Sequence, residues 1–363
     1  MFSNKQIITF VYDIKDFNFI VKSCEENESS FDNILRQTWK QAEQIKIFRY
    51  ILNIKDSKIL KGKYKFLAQL NPDRAQYRRA PESITSTVQS FSSTRFNFTK
   101  LTQQEILFDI GNGDTNDIIA INSSPLEQSH CLFLAERLKC LPQIMTEYSL
   151  CKVIELCLLS NSWSLRAFFN GLCALSSVNH LHWHLYYLKY EMLLEYIDIC
   201  SYVSGVHLLI QYPAKGFCLK LSDFKNIEDF ASRAFVVVNY LQLRQMAHNV
   251  YITRAKSKSN DELYNDVRIY IWVRKPFTGV KDITAILPGV CELFGHLTIS
   301  GKDLYLIQNF SCIEYNYYII YTCILDETVY NNLTQDDIIN LLHDITEECF
   351  LLIKDELKNV LEK

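Results

Sequence analysis

The sequence predicts an α+β protein with antiparallel sheets, and two features of its pattern carry this prediction. Short strands joined by tight turns alternate with single helices, which is typical of α+β proteins. The same order of elements occurs in both halves of the 363-residue chain. A chain of this length also favours two core-forming units over one small core. We therefore predict an internal duplication whose halves share a pattern rather than residues.

Helical and strand patterns alternate along the chain. The apolar spacing of helices occurs in residues 27–52, 137–160, 227–246 and 333–361. The last helix is predicted to begin at a Thr334 cap with Asp337 in its acidic first turn. Strand patterns cover residues 61–71, 106–110, 205–222, 247–255 and 266–275. The last of these is the most regular, and its apolar residues share one side: Val267, Ile269, Ile271 and Val273.

The pattern divides the chain into four predicted segments. These are an N-terminal helix and strand extension at 1–60, a first half at 61–190, a second half at 191–330 and a C-terminal amphipathic helix at 331–363.

Composition restricts the class of protein. The residues are 48% hydrophobic and 22% charged, which is ordinary for a folded soluble chain. The net charge of −3 gives no general attraction to nucleic acid or to an acidic membrane. No apolar run is long enough to span a bilayer, and no signal peptide is evident, so we expect a cytoplasmic protein. The 12 cysteines are scattered without a CxxC pair and are expected to be free thiols.

The stretch "VNHLHWHLYYL" at 178–188 is the strongest candidate for a functional site. In a β-strand, its alternating histidines share one side: His180, His182 and His184. Their neighbours share the other, buried side: Leu181, Trp183 and Leu185. One side of the sheet would then carry groups that titrate near neutrality.

Three interpretations of the histidines compete. They could be ordinary residues of a solvated sheet face, which is less probable for three than for one. They could bind zinc, although a tetrahedral site needs a ligand from elsewhere, and no second pair has ligand-like spacing. The candidates for such a ligand are His130, His207, His248 and His296.

The third interpretation is nucleophilic catalysis on phosphorus. A neutral imidazole attacks a phosphoryl centre well when its other nitrogen keeps the proton, and a strand carbonyl can fix that tautomer. A flanking histidine can donate to a phosphate oxygen as charge develops. Upstream, Asn170 and Ser177 are uncharged donors suited to phosphate oxygens, although turn and cap chemistry explains them equally well.

The histidine stretch resembles the histidine-triad signature, and other motifs extend the resemblance over about 60 to 310. In chain order, they are "FLAQLNPDRAQYRRAPESI", "FNFTKL" with "EILF", "INSSPLEQSHCLFLAE", "FFNGLCALSSVNHLH", "YPAKGF", "MAHNVYITRA" and "VRIYIWVRK" with "CELFGHL". They are similar to motifs of the GDP-D-glucose and plant GDP-L-galactose phosphorylases. The resemblance implies a HIT-like α+β fold of two repeats, whose antiparallel sheets form a continuous half-barrel flanked by helices.

The resemblance also implies a reaction and a role for each site residue. GDP-D-glucose and phosphate would give GDP and D-glucose 1-phosphate through a GMP-histidine, with no metal or other cofactor. His182 would be the nucleophile, His180 would orient it, and His184 would lie toward the phosphates. Asn170 and Ser177 match residues that hold phosphate oxygens in related transferases.

The resemblance leaves the phosphate-binding cations and the assembly to be determined. We rank Arg254 and Arg274 ahead of other cations as partners of the diphosphate, because each ends a motif strand. The lower-ranked candidates are Arg78, Arg79 and Lys275. A homodimer is the working hypothesis for the assembly.

The chain departs from the family pattern before the histidines, where relatives are rich in glycine. Here Cys173, Ala174 and Leu175 occupy that stretch, and their side chains would crowd a bound phosphate. Two further functions therefore remain open alongside the phosphorylase. One is a hydrolase or transferase of the same superfamily with another substrate, and the other is a catalytically weakened protein that binds GDP-sugars.

Overall fold

The computed structural model describes residues 6–24, 28–280, 287–299, 303–305, 312–313, 316–317 and 323–363. Its strands are β1 (Ile8–Phe10), β2 (Val21–Lys22), β3 (Asp56–Ile59), β4 (Leu67–Leu70), β5 (Ile106–Ile110), β6 (Ile118–Ile121), β7 (Cys131–Leu134), β8 (Leu165–Asn170), β9 (Trp183–Tyr187), β10 (Cys200–Val203), β11 (Val206–Leu209), β12 (Gly216–Lys220), β13 (His248–Ala255), β14 (Leu263–Tyr264), β15 (Asp266–Val273), β16 (His296–Ile299), β17 (Asp303–Tyr305), β18 (Cys312–Ile313), β19 (Asn316–Tyr317) and β20 (Cys323–Leu325). Its helices are α1 (Ser30–Gln44), α2 (Pro72–Tyr77), α3 (Glu147–Leu159), α4 (Ile227–Leu243), α5 (Val290–Phe294), α6 (Asp326–Asn332) and α7 (Gln335–Leu361).

A sheet of eleven strands contains two copies of one topology. The strand order is β1-β5-β6-β7-β9-β8-β13-β15-β12-β11-β10. From one side it reads β5-β6-β7-β9-β8, and from the other β10-β11-β12-β15-β13. In each copy one long helix follows the third strand along the chain, α3 between β7 and β8 and α4 between β12 and β13. Every pairing in these two copies is antiparallel, as is the pairing of β8 with β13 that joins them. The predicted α+β class and two-repeat, continuous antiparallel sheet are confirmed.

The predicted helix starts agree with the caps, with one exception. Ser29 caps α1, and Thr334 and Asp337 form a reciprocal capping box at α7. The helix predicted at 137–160 is wrong in its first half, because α3 begins only after the Thr146 cap. Upstream of it, a short 3₁₀ turn ends at Cys140, whose φ of 54° is left-handed and stops the helical path.

The two faces of the sheet are covered differently. One face packs on the long helices in the larger core, which contains the predicted buried set Leu181, Trp183 and Leu185. The apolar side of β15 lies in the same core, as its alternation predicts. The opposite face carries a second core with α5 and part of α7. Helix α7 contributes Leu342 to this second core and Leu357 to the first.

Strand β9 begins later than the sequence pattern suggests. Its ladder to β7 starts with the pair Phe133 and Trp183, so His180 and His182 precede the strand. The backbone there bonds to a neighbouring loop instead of a strand, and the Leu181 N–H donates to the Leu141 carbonyl at 3.0 Å. The predicted alternation of buried and opposite-facing side chains nevertheless extends through this segment.

Two further properties concern the described residues. No helix among them combines the length and the apolar character that crossing a bilayer requires. Ten of their cysteines are thiols rather than disulfides, as predicted, and five of these are buried: Cys131, Cys157, Cys173, Cys218 and Cys291.

Candidate active site

A cavity opens on the sheet face opposite the large core, above β9 and its neighbours. It encloses about 1360 Å³ of empty space, its open mouth included. His182 and His184 lie in its wall together with His130, which directly precedes β7. His182 is only 3% exposed, but the space it faces is this cavity rather than the packed core.

The tautomer of His182 is set by the backbone of His180. Its Nδ1 lies 2.7 Å from the His180 carbonyl oxygen, which can only accept, so we assign the proton to Nδ1. In the neutral ring, the lone pair then lies on Nε2. The backbone is held by Gln143, whose side-chain oxygen accepts the His182 N–H at 2.8 Å and whose amide nitrogen donates to the His182 carbonyl at 3.0 Å. His182 is thereby fixed in the tautomer of a nucleophile.

His180 lies beside His182, but its ring hydrogen-bonds to the surrounding loops. Nδ1 accepts the Phe98 N–H at 3.0 Å, and Nε2 donates to the Arg137 carbonyl at 3.1 Å. Burial lowers the pKa of His180 to about 4, so the ring is neutral. Its contribution to the orientation of His182 comes from the carbonyl group.

A chain of hydrogen bonds leads to His184. The Leu126 N–H donates to His130 Nδ1 at 2.9 Å. Burial, and then the charge of Arg74, keeps the pKa of His130 well below its ordinary value, so this ring is neutral with its proton on Nε2. That Nε2 lies 3.1 Å from His184 Nδ1, and the Asn122 amide nitrogen lies 3.0 Å from His130 Nε2 and 3.5 Å from His184 Nδ1. Since the His130 Nε2–H and the Asn122 amide are both donors, we assign His184 Nδ1 as the acceptor. A neutral His184 therefore carries its proton on Nε2, on the side of the ring away from His130, and stacks on Phe168 at 4.8 Å.

Three arginines from α2 and the loop after it line the cavity: Arg74, Arg78 and Arg79. Burial, and then repulsion by Arg74, lowers the pKa of Arg78 to about 9, so it remains protonated near neutral pH. Its guanidinium lies 3.5 Å from Ser177 Oγ. Two neighbouring cations that repel each other favour an anion between them.

Asn170 and Ser177, the predicted phosphate-binding pair, both reach this cavity. Asn170 Oδ1 accepts the Asn249 amide at 2.8 Å and the Val290 N–H at 3.1 Å. With its oxygen occupied, the Asn170 side chain has its Nδ2 protons to offer. Ser124 also lines the cavity, and its buried Oγ has no hydrogen-bond partner among the described residues.

Comparison with known proteins identifies the family to which the sequence belongs. The model described as "GDPGP1-like, N-terminal domain" matches residues 30–186, and "GDPGP1-like, C-terminal domain" matches residues 197–363. The chain belongs to the GDP-D-glucose phosphorylase family. It is 32% identical to GDP-D-glucose phosphorylase 1 of Xenopus laevis over 354 residues, covering 85% of this chain and 87% of the relative. Identity to the Homo sapiens protein of that name is 37% over 290 residues, covering 76% and 75%.

Similarity extends to a plant enzyme and to a solved structure. GDP-L-galactose phosphorylase 2 of Arabidopsis thaliana is 29% identical over 319 residues, which cover 78% of this chain and 72% of that protein. The crystal structure of yeast Ap4A phosphorylase Apa2 matches with a TM-score of 0.53 and 14% identity, covering 74% of this chain and 86% of that one. At this identity the likeness concerns the fold alone. The resemblance inferred from the motifs is confirmed.

Arg254 and Arg274, the cations ranked first from the sequence, do not line the cavity of this GDP-D-glucose phosphorylase family member. Arg254 shares the side of β13 that faces the large core, and its guanidinium donates to the carbonyls of Cys157 and Ser160, each at 2.9 Å. Arg274 donates to the Pro288 carbonyl and lines a smaller adjoining pocket. A position at the end of a strand does not show on which face of the sheet the side chain lies. The ranking of cations is therefore corrected in favour of the arginines near α2.

The altered loop before the histidines obstructs the cavity less than its side chains would suggest. Cys173 and Ala174 pack in a small apolar cluster away from the histidines, and only Leu175 lines the cavity. Both Cys173 and Leu175 have left-handed backbones, with φ of 56° and 70°. Glycine adopts that conformation without the steric cost paid by a side chain.

Sequence reasoning missed Gln143 and Arg74, and assigned His130 only to a metal. Gln143 also bonds the Asn170 carbonyl at 3.0 Å and thus joins two site segments. No local signal marks a glutamine as a clamp. The basic "PDRAQYRR" stretch was a usable signal for the arginines. Within the described ranges, no group of three or more His, Cys, Asp or Glu residues is arranged to hold a metal ion.

Proposed function

We propose that the protein is a GDP-D-glucose phosphorylase that transfers GMP to inorganic phosphate through a guanylyl-histidine. The observation that carries the proposal is the bond from His182 Nδ1–H to the His180 carbonyl inside an arginine-lined cavity. His182 Nε2 attacks the α-phosphorus of GDP-D-glucose, a bond forms between nitrogen and phosphorus, and D-glucose 1-phosphate leaves with the bridging oxygen. A phosphate oxygen then attacks the same phosphorus and releases GDP and the free imidazole.

The surrounding groups fit these two displacements. Arg74 and Arg78 balance the charge of the diphosphate, and Asn170 Nδ2 donates to an oxygen of the transferred group. The Nε2–H of His184 donates to a second such oxygen, where charge develops in the transition state. The leaving sugar phosphate is a weak base, so no strong acid is required beside it. Neutral imidazole is nucleophile enough, and the proposed steps call on no cofactor.

The direct test is intact-mass spectrometry after mixing the protein with GDP-D-glucose and no phosphate. The expected result is a GMP adduct that disappears when phosphate is added, as GDP is released. An adduct that maps to any residue other than His182 would exclude the mechanism. GDP release with water in place of phosphate would favour a hydrolase, and tight GDP binding without an adduct would favour a weakened GDP-sugar-binding protein.

Four expectations accompany this proposal as predictions. We expect the chain to divide into segments 1–60, 61–190, 191–330 and 331–363. We also expect a cytoplasmic location and a homodimeric assembly. Membranes are not expected among the partners. Light scattering of the purified protein and fractionation of cells measure the assembly and the location.

A further inference from the structure

The two ends of the cavity are built by different parts of the sheet. On the side of β6 and β7, apolar side chains pack together and line the wall: Phe98, Leu101, Leu132 and Val178. On the side of β8, the wall is formed by Asn170 and by α5 with its flanking residues. An apolar slot next to the histidines suits the flat face of a nucleobase, whereas the other side suits polar groups.

Two carboxylates line this cavity, Glu105 and Glu292. Glu292 lies in α5, and both of its oxygens are used locally, by the Gly289 N–H at 2.9 Å and the Thr298 hydroxyl at 3.2 Å. Glu105 directly precedes β5 at the apolar end, where the ladder of β5 with β6 begins at the pair Ile106 and Ala120. Glu105 is therefore the carboxylate placed beside the base slot.

Glu105 is held by one oxygen only. Its Oε2 accepts both the N–H and the hydroxyl of Thr102, at 2.8 and 3.0 Å. In the part of the chain that the structure describes, no hydrogen bond reaches Oε1. The side chain is thus fixed through Oε2 and offers Oε1 as an acceptor.

Arg79 accompanies Glu105 at this end of the cavity. Burial and the charge of Arg49 lower the pKa of Arg79 to about 10, while the nearby Glu105 carboxylate opposes this and raises it. The guanidinium remains charged near neutral pH, and it lies over the Phe96 ring, 3.3 Å from its centroid. A fixed donor and a fixed acceptor therefore border the same slot.

We propose that Glu105 and Arg79 read the guanine base, an inference that rests on the proposed function and adds its base specificity. Glu105 Oε1 accepts from the N1–H and N2 amino group, and Arg79 donates to O6 and N7. Adenine would place an amino group opposite Arg79 and a bare N1 opposite the carboxylate, so both contacts would turn unfavourable. Each such pairing is worth about 10- to 100-fold in discrimination.

The test compares kcat/KM for GDP-, IDP- and ADP-glucose, because inosine lacks only the N2 amino group. The wild type should prefer GDP-glucose to IDP-glucose by about 10-fold and to ADP-glucose by about 100-fold. Glu105→Gln retains an oxygen that can accept from Thr102, so it should fold normally in a thermal melt, and its GDP-to-IDP ratio should approach one. Glu292→Gln is the matched control and should retain the wild-type ratio whatever its rate. A Glu105→Gln ratio equal to that of the wild type overturns the inference.

Binding measured without turnover separates this inference from the proposed function. Calorimetry with GDP, IDP and ADP should show the same order of affinities and the same loss of discrimination in Glu105→Gln. Turnover of GDP-glucose with unchanged binding ratios in the variant would overturn the base reading and leave the phosphorylase intact. Discrimination that depends on Glu105, in a protein that turns over no GDP-glucose, would support the base reading and overturn the phosphorylase.

Discussion

Strands β9 and β15 occupy corresponding places in the two repeats, and they use the same face of the sheet differently. In the first repeat, His184 pairs with Leu132 and Phe168 below the cavity. In the second, Tyr270 takes the corresponding place, paired with Cys218 and Tyr251 in a packed core. One topology thus supplies a cavity-lining face in one copy and a packed face in the other.

The covering elements account for this difference. In the second repeat, Phe294 of α5 stacks on Tyr251 with 4.2 Å between ring centroids. Two aromatic residues of this face bond to the backbone beneath their cover: Tyr270 donates to the Leu194 carbonyl at 2.5 Å, and Trp272 donates to the Ala214 carbonyl at 3.0 Å. In the first repeat, polar atoms border open space. The candidate site therefore lies on the part of the sheet that α5 and its neighbours leave uncovered.

The largest expected effect is the loss of the proposed nucleophile. His182→Ala should lower kcat for GDP-D-glucose phosphorolysis by at least about 1000-fold, because no other group can carry the GMP. Steady-state kinetics measure this, and circular dichroism checks that the variant is folded. A kcat of His182→Ala within 10-fold of the wild-type value would show that His182 does not carry the GMP group.

Replacing His184 tests the chain of hydrogen bonds from His130. His184→Leu should lower kcat by about 100-fold, since the transition state loses a donor. His184→Gln keeps an amide donor at this place and should lower kcat by less than about 10-fold. Equal rates for the two variants would show that the donor is not used.

Buried histidines in both repeats predict a common pH dependence of stability. Burial lowers the pKa of His180 to about 4 and of His296 to about 3. Below their ordinary pKa of about 6.5 the unfolded chain therefore binds more protons than the folded one, and the free energy of unfolding falls as the pH falls toward 4. Each of the two contributes about 1.4 kcal/mol per pH unit.

Urea unfolding at about pH 7 and about pH 5 measures this slope. His296→Gln should make the slope shallower, whereas a change at the exposed His343 should leave it unaltered. Equal slopes in wild type and His296→Gln would contradict the prediction.

The covered face of the second repeat should respond mainly in stability. Phe294→Leu should lower the free energy of unfolding by about 1–2 kcal/mol, because the ring is 1% exposed and its stacking on Tyr251 is lost. Leu243→Ala, at a residue that is 76% exposed, should change it by less than about 0.5 kcal/mol. Chemical denaturation with the two variants side by side is the measurement, and a similar effect in both would argue against a packed second face.

The smallest effect concerns the backbone of the altered loop. Cys173→Gly and Cys173→Ala both remove the thiol, so the difference between them isolates the left-handed φ of 56°. The glycine variant should be more stable than the alanine variant by about 1 kcal/mol, the reverse of the usual order. Denaturation midpoints of the two variants measure this difference. A more stable alanine variant would mean that the loop changes conformation and residue 173 leaves the left-handed region.

Much of the fold could be predicted because periodicity reports burial directly. The buried set around Trp183 and the apolar side of β15 followed from alternation alone. The histidines were found because three at one spacing form a rare local pattern. The cations could not be ranked correctly, since whether Arg254 or Arg78 reaches the cavity depends on the sheet face and on contacts distant in sequence. Gln143 acts across 39 positions in the chain, which no local pattern encodes.

Helix α7 enters both hydrophobic layers, with Leu342 on one side of the sheet and Leu357 on the other. If either layer loses its packing, α7 is also displaced from the other layer. The C-terminal segment therefore couples the melting of the two hydrophobic layers, which should unfold in a single cooperative transition.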